Sequence, residues 1–304
     1  NEADAGASFE SETTRINRDS TTNFLKIGSE VYASYAFDGA IDDVRIYSKA
    51  LTASEVKEVA TNIYNTASGS WSTAGNWSYG SVPISTENAF IPSGNAVTIG
   101  SSTGAVTNNL DIAGTLTISK GGSLIVSGTS TGNVTYNREL TYVAGDANGW
   151  HLISSPVSGQ TYNNAYATAN NLATDDGNTK RGLAYYDDSK VAGLKYTYLL
   201  SDDTNAAAFN AGTYAGSGVG YAAKRASTGT GNIAFTGTIN TDNVNGVGVS
   251  TAGNGFNLLG NPYTSYISSQ TFLNDNTDLD QTQIWVWKQD NSSGGNFIAM
   301  TNKA

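Results

Sequence analysis

The chain has 304 residues, with 26 acidic against 16 basic side chains and a formal charge of −10. It has no cysteine, which excludes disulfides, thiolate metal sites and a cysteine nucleophile, and its single histidine, His151, gives a triad or zinc site only one imidazole to draw on. Basic charge gathers nowhere beyond Lys180-Arg181, so nucleic acid and anionic membranes are not expected partners.

Seventeen Tyr, nine Phe and five Trp can fill real cores, while 34 Gly and only 14% charged residues are the composition of many short strands joined by tight turns. The expected class is all-β. No run approaches the roughly 18 apolar residues of a membrane span, so the chain is not expected to be membrane-spanning. Asn1 to Glu10 lacks the basic start and apolar run of a signal peptide, and both ends read as cuts inside a longer protein.

Residues 1–66 open on a polar lead and then carry three strand-like runs, Phe24 to Gly28, Val31 to Phe37 and Ile41 to Tyr47. In the third, Asp42, Val44 and Ile46 fall on one face. Thr52 to Glu55 fits a capping box, and Val56, Val59, Ala60 and Ile63 follow at helical spacing, so one short helix is expected near 52–63.

Residues 67–137 begin with a turn-rich aromatic stretch, Trp71 to Trp77. Short aliphatic pairs follow: Val97/Ile99, Leu110/Ile112, Leu116/Ile118 and Leu124/Val126, with Val134/Tyr136 after them. Strands this short bury one face only by stacking as rungs, which predicts a short β-solenoid or β-roll.

Residues 138–304 contain an internal repeat. Gly149-Trp150-His151-Leu152-Ile153-Ser154-Ser155-Pro156 returns as Gly255-Phe256-Asn257-Leu258-Leu259-Gly260-Asn261-Pro262. Each copy reads as a strand leading into a proline-fixed turn. Further strands are expected at Gly182 to Tyr186, Lys195 to Leu200, Gly218 to Ala223, Ile233 to Ile239 and Ile284 to Trp287. The region reads as one pseudo-repeated, β-sandwich-like domain, incomplete at its C-terminal end.

Three stretches carry resemblances. Phe37-Asp38-Gly39-Ala40-Ile41-Asp42-Asp43-Val44-Arg45-Ile46-Tyr47, continuing to Leu51 and Val56, resembles the end of a laminin-G-like (concanavalin-A-like) jelly roll. That resemblance implies a partial jelly roll over 1–66 and a structural calcium held in part by Asp42. Trp71 to Gly128 resembles the aromatic W-x-x-x-x-N-W lead and short-rung region of bacterial surface proteins exported by the type IX route. The paired aromatic–aliphatic–Pro motifs resemble repeats found upstream of the sorting domain in such proteins. These two likenesses imply the type IX secretion machinery as a partner and an extracellular or bacterial cell-surface location. In the same setting Asp19-Ser20-Thr21 matches a short O-glycosylation pattern, which makes Ser20 a candidate modification site.

Candidate chemistry is sparse. His151 aligns with Asn257 in the repeat and reads as a strand residue, and no G-x-S-x-G or H-E-x-x-H occurs. Paired carboxylates could serve glycoside hydrolysis. However, the acids cluster in turn-like pairs, Asp175-Asp176, Asp187-Asp188 and Asp202-Asp203, and in Asp275 to Asp280. Of the tryptophans, Trp285 and Trp287 share a strand face and are the candidates for stacking on a sugar ring.

The expectation is a non-catalytic segment of a large secreted bacterial surface protein. It would act in adhesion or as a stalk, with an extracellular glycan or surface as partner and calcium as its only cofactor. An accessory binding region of a polysaccharide-degrading enzyme, with its catalytic domain elsewhere, is the other reading.

Overall fold

A strand with one aliphatic face is stable only if that face is covered, and residues 62–139 meet this by coiling. The computed structural model describes residues 46–52, 62–145, 149–213, 215–280, 283–290 and 294–301. The chain divides into two compact units, Asn1–Ala50 and Leu51–Ala304. The first lies almost wholly outside the described residues.

Within the second unit the chain winds through three ladders of parallel strands. The first stacks β1 (Asn62–Tyr64), β3 (Asn88–Ile91), β6 (Leu110–Ile112) and β9 (Ser130–Thr131). The second stacks β2 (Gly69–Ser70), β4 (Ala96–Ile99), β7 (Thr115–Ile118) and β10 (Val134–Glu139). The third pairs β5 (Gly104–Thr107) with β8 (Ser123–Val126). Each circuit sets like against like: Ile91 beside Ile112, Val97 beside Leu116, Leu116 beside Val134, Ala105 beside Leu124. These side chains point inward and all are buried, each worth about 1.5–3 kcal/mol for the larger ones.

A line of asparagines runs down one corner of the coil. Asn88 Nδ2 donates to Asn62 Oδ1 at 2.8 Å, and Asn109 Nδ2 donates to Asn88 Oδ1 at 2.8 Å. Asn109 Oδ1 in turn accepts from the Thr129 backbone N–H at 2.8 Å. The amide is both donor and acceptor, so identical side chains one circuit apart satisfy each other where the backbone turns away from the ladder.

Parts of both ends of the coil are covered, which protects those edges from pairing with other chains. At the start, Trp71 and Trp77 pack edge to face at 4.8 Å and are 1% and 2% exposed, with Trp77 Nε1 donating to the Trp71 carbonyl at 2.7 Å. At the other end β15 (Asn232–Gly237) pairs antiparallel with β10, from Val134↔Gly237 to Glu139↔Asn232. On the third ladder Thr264 brackets Leu124, accepting its N–H at 3.1 Å and donating Oγ1 to its carbonyl at 2.8 Å.

A four-stranded antiparallel sheet follows, in the order β11 (Trp150–Ser154), β14 (Gly220–Lys224), β12 (Lys180–Tyr186), β13 (Tyr196–Leu200). Alternation sends Ile153, Leu183, Tyr185, Leu199, Tyr221 and Ala223 into the core. There they meet Tyr162, Tyr166 of α1 (Asn164–Ala169) and Phe209 of α2 (Ala206–Asn210). The opposite face carries Trp150, Leu152, Ser154, Tyr186, Tyr196 and Tyr198 around the small residues Ala184 and Ala222. After α3 (Ser269–Asp275) the chain closes on a separate hairpin, β16 (Gln283–Asp290) with β17 (Gly294–Thr301).

The regular elements among the described residues are mostly strands with few helices, the all-β class. Several local expectations need correction. Ile63, placed on a helical stripe, is buried in β1 beside Ala89, because the ladder offers it a core; residues 53–61 lie outside the described set. Among the described residues three short α-helices occur elsewhere, at 164–169, 206–210 and 269–275. Two are held by side-chain caps to N3, Asn163 to Tyr166 N at 2.8 Å and Ser268 to Thr271 N at 3.2 Å. The second repeat copy is no strand: only Leu259 bridges, to Val219, while its counterpart forms all of β11. Ile46, expected near the end of the strand-like run Ile41 to Tyr47, is 68% exposed and outside any strand, in a segment that bends at Ser48-Lys49. No helix is long and apolar enough to cross a membrane among the described residues.

Candidate functional site: an aromatic cleft under the last hairpin

The aromatic face of the four-stranded sheet is not packed into the core. It forms one wall of an open cleft of about 1230 Å³. The opposite wall is the β16–β17 hairpin, and the ends are formed by β10 and by the loop from Asn254 to Asn261.

Period-two alternation puts Trp285 and Trp287 on one face of β16, opposite Ala299 and Phe297. The structure brings both to the cleft but gives them different roles. Trp287 is half-buried, its Nε1–H donates to the Trp150 carbonyl oxygen at 2.7 Å, and its ring meets Phe297 edge to face at 4.9 Å. It also lies flat across Gly295, where an added Cβ would come within 2.1 Å of the indole. Trp285 is 50% exposed and presents its ring to the cleft. Phe256, 55% exposed, and Tyr196, 36% exposed, add further open rings.

The same sheet face carries further ring contacts. Trp150 lies 5.8 Å from Tyr198, with Lys224 Nζ 5.9 Å from the Trp150 ring and Lys180 Nζ 5.9 Å from the Tyr198 ring. Tyr186 and Tyr196 meet at 5.1 Å. Below them Asp188, 4% exposed, accepts from Lys195 Nζ, from Tyr186 OH at 2.5 Å, and from the backbone N–H of Asn254 at 2.5 Å and Phe256 at 3.3 Å. Lys195 first, then Tyr186 and the two amides, hold its carboxyl well below the usual carboxylate range. Asp188 thus ties the start of the second repeat copy to β12. Gly253 is required there, since a Cβ would sit 2.0 Å from the Asp188 carbonyl oxygen.

Arg138, on the outer part of β10, faces the cleft and donates Nη2 to the Leu152 carbonyl at 3.3 Å. Its neighbour His151 points Nε2 at the Thr141 carbonyl, 3.0 Å away, which can only accept and so places the proton on Nε2. Partial burial pushes the His151 pKa down, the Thr141 bond opposes this, and the Arg138 charge adds to it. Among the described residues no nucleophile or carboxylate bonds the ring.

The turn acids act as turn acids. Asp175 accepts from the N–H groups of Thr179 at 2.6 Å and Lys180 at 2.8 Å, and Asp202 from Thr204 at 3.1 Å. Among the described residues no three Asp, Glu or His side chains gather in one place. Of the other tryptophans, Trp71 and Trp77 are core and Trp150 is part of the cleft's supporting wall. Asp42 and Ser20 both lie outside the described residues. Arg138 was not singled out from sequence, while Phe256 was read only as part of the repeat and Asp188 only as a turn acid.

A family model described as the concanavalin A-like lectin/glucanases superfamily matches residues 5–57. No curated protein matches the chain, and no solved structure does.

Proposed function

We propose that the chain is a non-catalytic, glycan-binding piece of a large secreted bacterial cell-surface protein. The observation that carries this reading is Trp285, a half-exposed indole held over an open cleft beside an indole whose polar edge is already bonded. Large rings gain most when covered, so an open ring in a wall of aromatic side chains is suited to the flat C–H face of a sugar. The match of residues 5–57 to a superfamily that includes lectins supports carbohydrate binding in the N-terminal part as well.

In this reading residues 67–137 form a short β-solenoid, and residues 1–66 are the C-terminal part of a jelly roll with calcium at Asp42. The resemblance of the Trp71 to Trp77 lead and of the paired Pro motifs supports type IX export, and that setting makes Ser20 the residue to examine for O-glycosylation.

A second reading, an accessory region of a polysaccharide-degrading enzyme, is favoured by the glucanases in the description of the matching superfamily.

Glycan-array binding of the purified chain, repeated with Trp285→Ala, tests the first reading. Retention of specific glycans that is lost in the variant supports it. Binding unchanged by the variant removes the cleft from consideration.

A further inference from the structure

Among the described residues, Arg138 is the only Lys or Arg in the lining of the cleft. A guanidinium has five N–H donors in a planar fork. Here one is used, in a long 3.3 Å bond to the Leu152 carbonyl. Among the described residues no carboxylate lies within ion-pair reach of it, and Asp280, the acid of the lining, makes an interaction of its own.

The other arginines among the described residues use more of their donors: Arg181 bonds the side chains of Asn164 and Asn178, and Arg225 bonds the carbonyls of Asn170, Asn232 and Thr230. Acids outnumber bases by 26 to 16, so a cation has many carboxylates to choose from. The neighbouring charges have been paired: Glu139, the next residue, bonds Lys120, and Asp188 bonds Lys195. Strand alternation sends Glu139 to the opposite face from Arg138 and leaves the guanidinium open toward Tyr136 and the aromatic walls. A fork of this kind pairs side by side with a carboxylate or sulfate.

We infer that the cleft takes an acidic glycan, with an anionic group of one sugar on Arg138 and a neighbouring ring on Trp285. This rests on the glycan-binding reading above and names its ligand class. The overall charge of −10 works against polyanions elsewhere on the surface, so binding depends on this one cation rather than on diffuse attraction.

Affinity electrophoresis in native gels separates the possibilities. The probes are polygalacturonate for carboxylates, a carrageenan for sulfate esters and laminarin for neutral sugar. The proteins are wild type, Arg138→Gln, Arg138→Lys and Trp285→Ala, each checked for an unchanged melting profile. Retardation by at least one acidic polymer and little by laminarin is expected, and which acidic polymer acts identifies the anionic group. Arg138→Gln should weaken that retardation about tenfold, the scale of one lost charge-assisted contact, with Arg138→Lys in between. Laminarin binding as strong as that of the acidic polymers, or acidic binding that is insensitive to Arg138→Gln but sensitive to Trp285→Ala, overturns the acidic-glycan inference and leaves the cleft standing. If no polymer binds, or binding ignores Trp285→Ala, the cleft reading fails with it.

Discussion

The indole N–H of Trp287 donates to the backbone carbonyl of Trp150 across 137 residues of sequence, at 2.7 Å. Trp150 begins β11, the outer strand of its sheet, so this carbonyl sits where no further strand is paired. One side-chain bond therefore joins the last hairpin to the sheet and sets the spacing of the two cleft walls.

Trp287→Phe keeps the ring and removes the donor. The expected cost is about 1 kcal/mol, the net worth of one such bond. Amides of β16 and β17 should exchange faster with solvent while those of β4 and β7 stay protected. Uniform loss of protection would place the tie elsewhere.

Gly295→Ala inserts a methyl where the Trp287 indole now lies, 2.1 Å from the ring. The indole must move, and with it the edge-to-face contact with Phe297. Near-ultraviolet circular dichroism should change and glycan retardation should fall by several-fold, with far-ultraviolet signal preserved. An unchanged aromatic spectrum would contradict the packing.

Asn88→Ala breaks the asparagine line at its middle. Asn88 Oδ1 accepts from Asn108 Nδ2, Asn109 N and Asn109 Nδ2, and its own Nδ2 reaches Asn62. Leaving these groups half-buried without partners should cost about 2 kcal/mol by chemical denaturation. Ile125→Ala, at a site 51% exposed on β8, should change stability by less than about 0.5 kcal/mol.

Asp188 makes stability depend on acid. Its folded pKa lies below its unfolded value, chiefly through Lys195 and Tyr186. Its contribution is therefore complete above the unfolded pKa of about 3.9 and is lost as pH falls toward and through the folded value. Asp188→Asn should lower the melting temperature at pH 7 and flatten its decline between pH 5 and pH 3. An equally steep decline in the variant would assign the acid limb to other carboxylates.

The rungs were legible because Val97/Ile99, Leu110/Ile112, Leu116/Ile118 and Leu124/Val126 each put two aliphatics on one face. The rung strands β3 and β5 were not, since Ala89, Ala105 and Thr107 face inward there and small or hydroxylated residues carry no aliphatic signal. Thr107 instead satisfies its hydroxyl on the carbonyls of Glu87 and Asn109. The pairing of β10 with β15 joins segments about a hundred residues apart, and turn chemistry says nothing at that range. The two copies of the Pro motif diverge because the first supplies an outer strand to β14, while the second is drawn across the sheet end by Asp188 and Gly220. Trp285 and Trp287 share a face by alternation alone, but which indole stays open was set by the Trp150 carbonyl.

The chain has five tryptophans and so five indole N–H signals, which a nitrogen-15 correlation spectrum resolves individually once each is assigned by substitution. Titrating in an oligosaccharide that the chain retains should shift the Trp285 signal most and the Trp287 signal less, and leave Trp71 and Trp77 unmoved. Shifts confined to Trp71 or Trp77, or a Trp285 signal that stays in place while ligand binds, would contradict a sugar-binding cleft beneath the last hairpin.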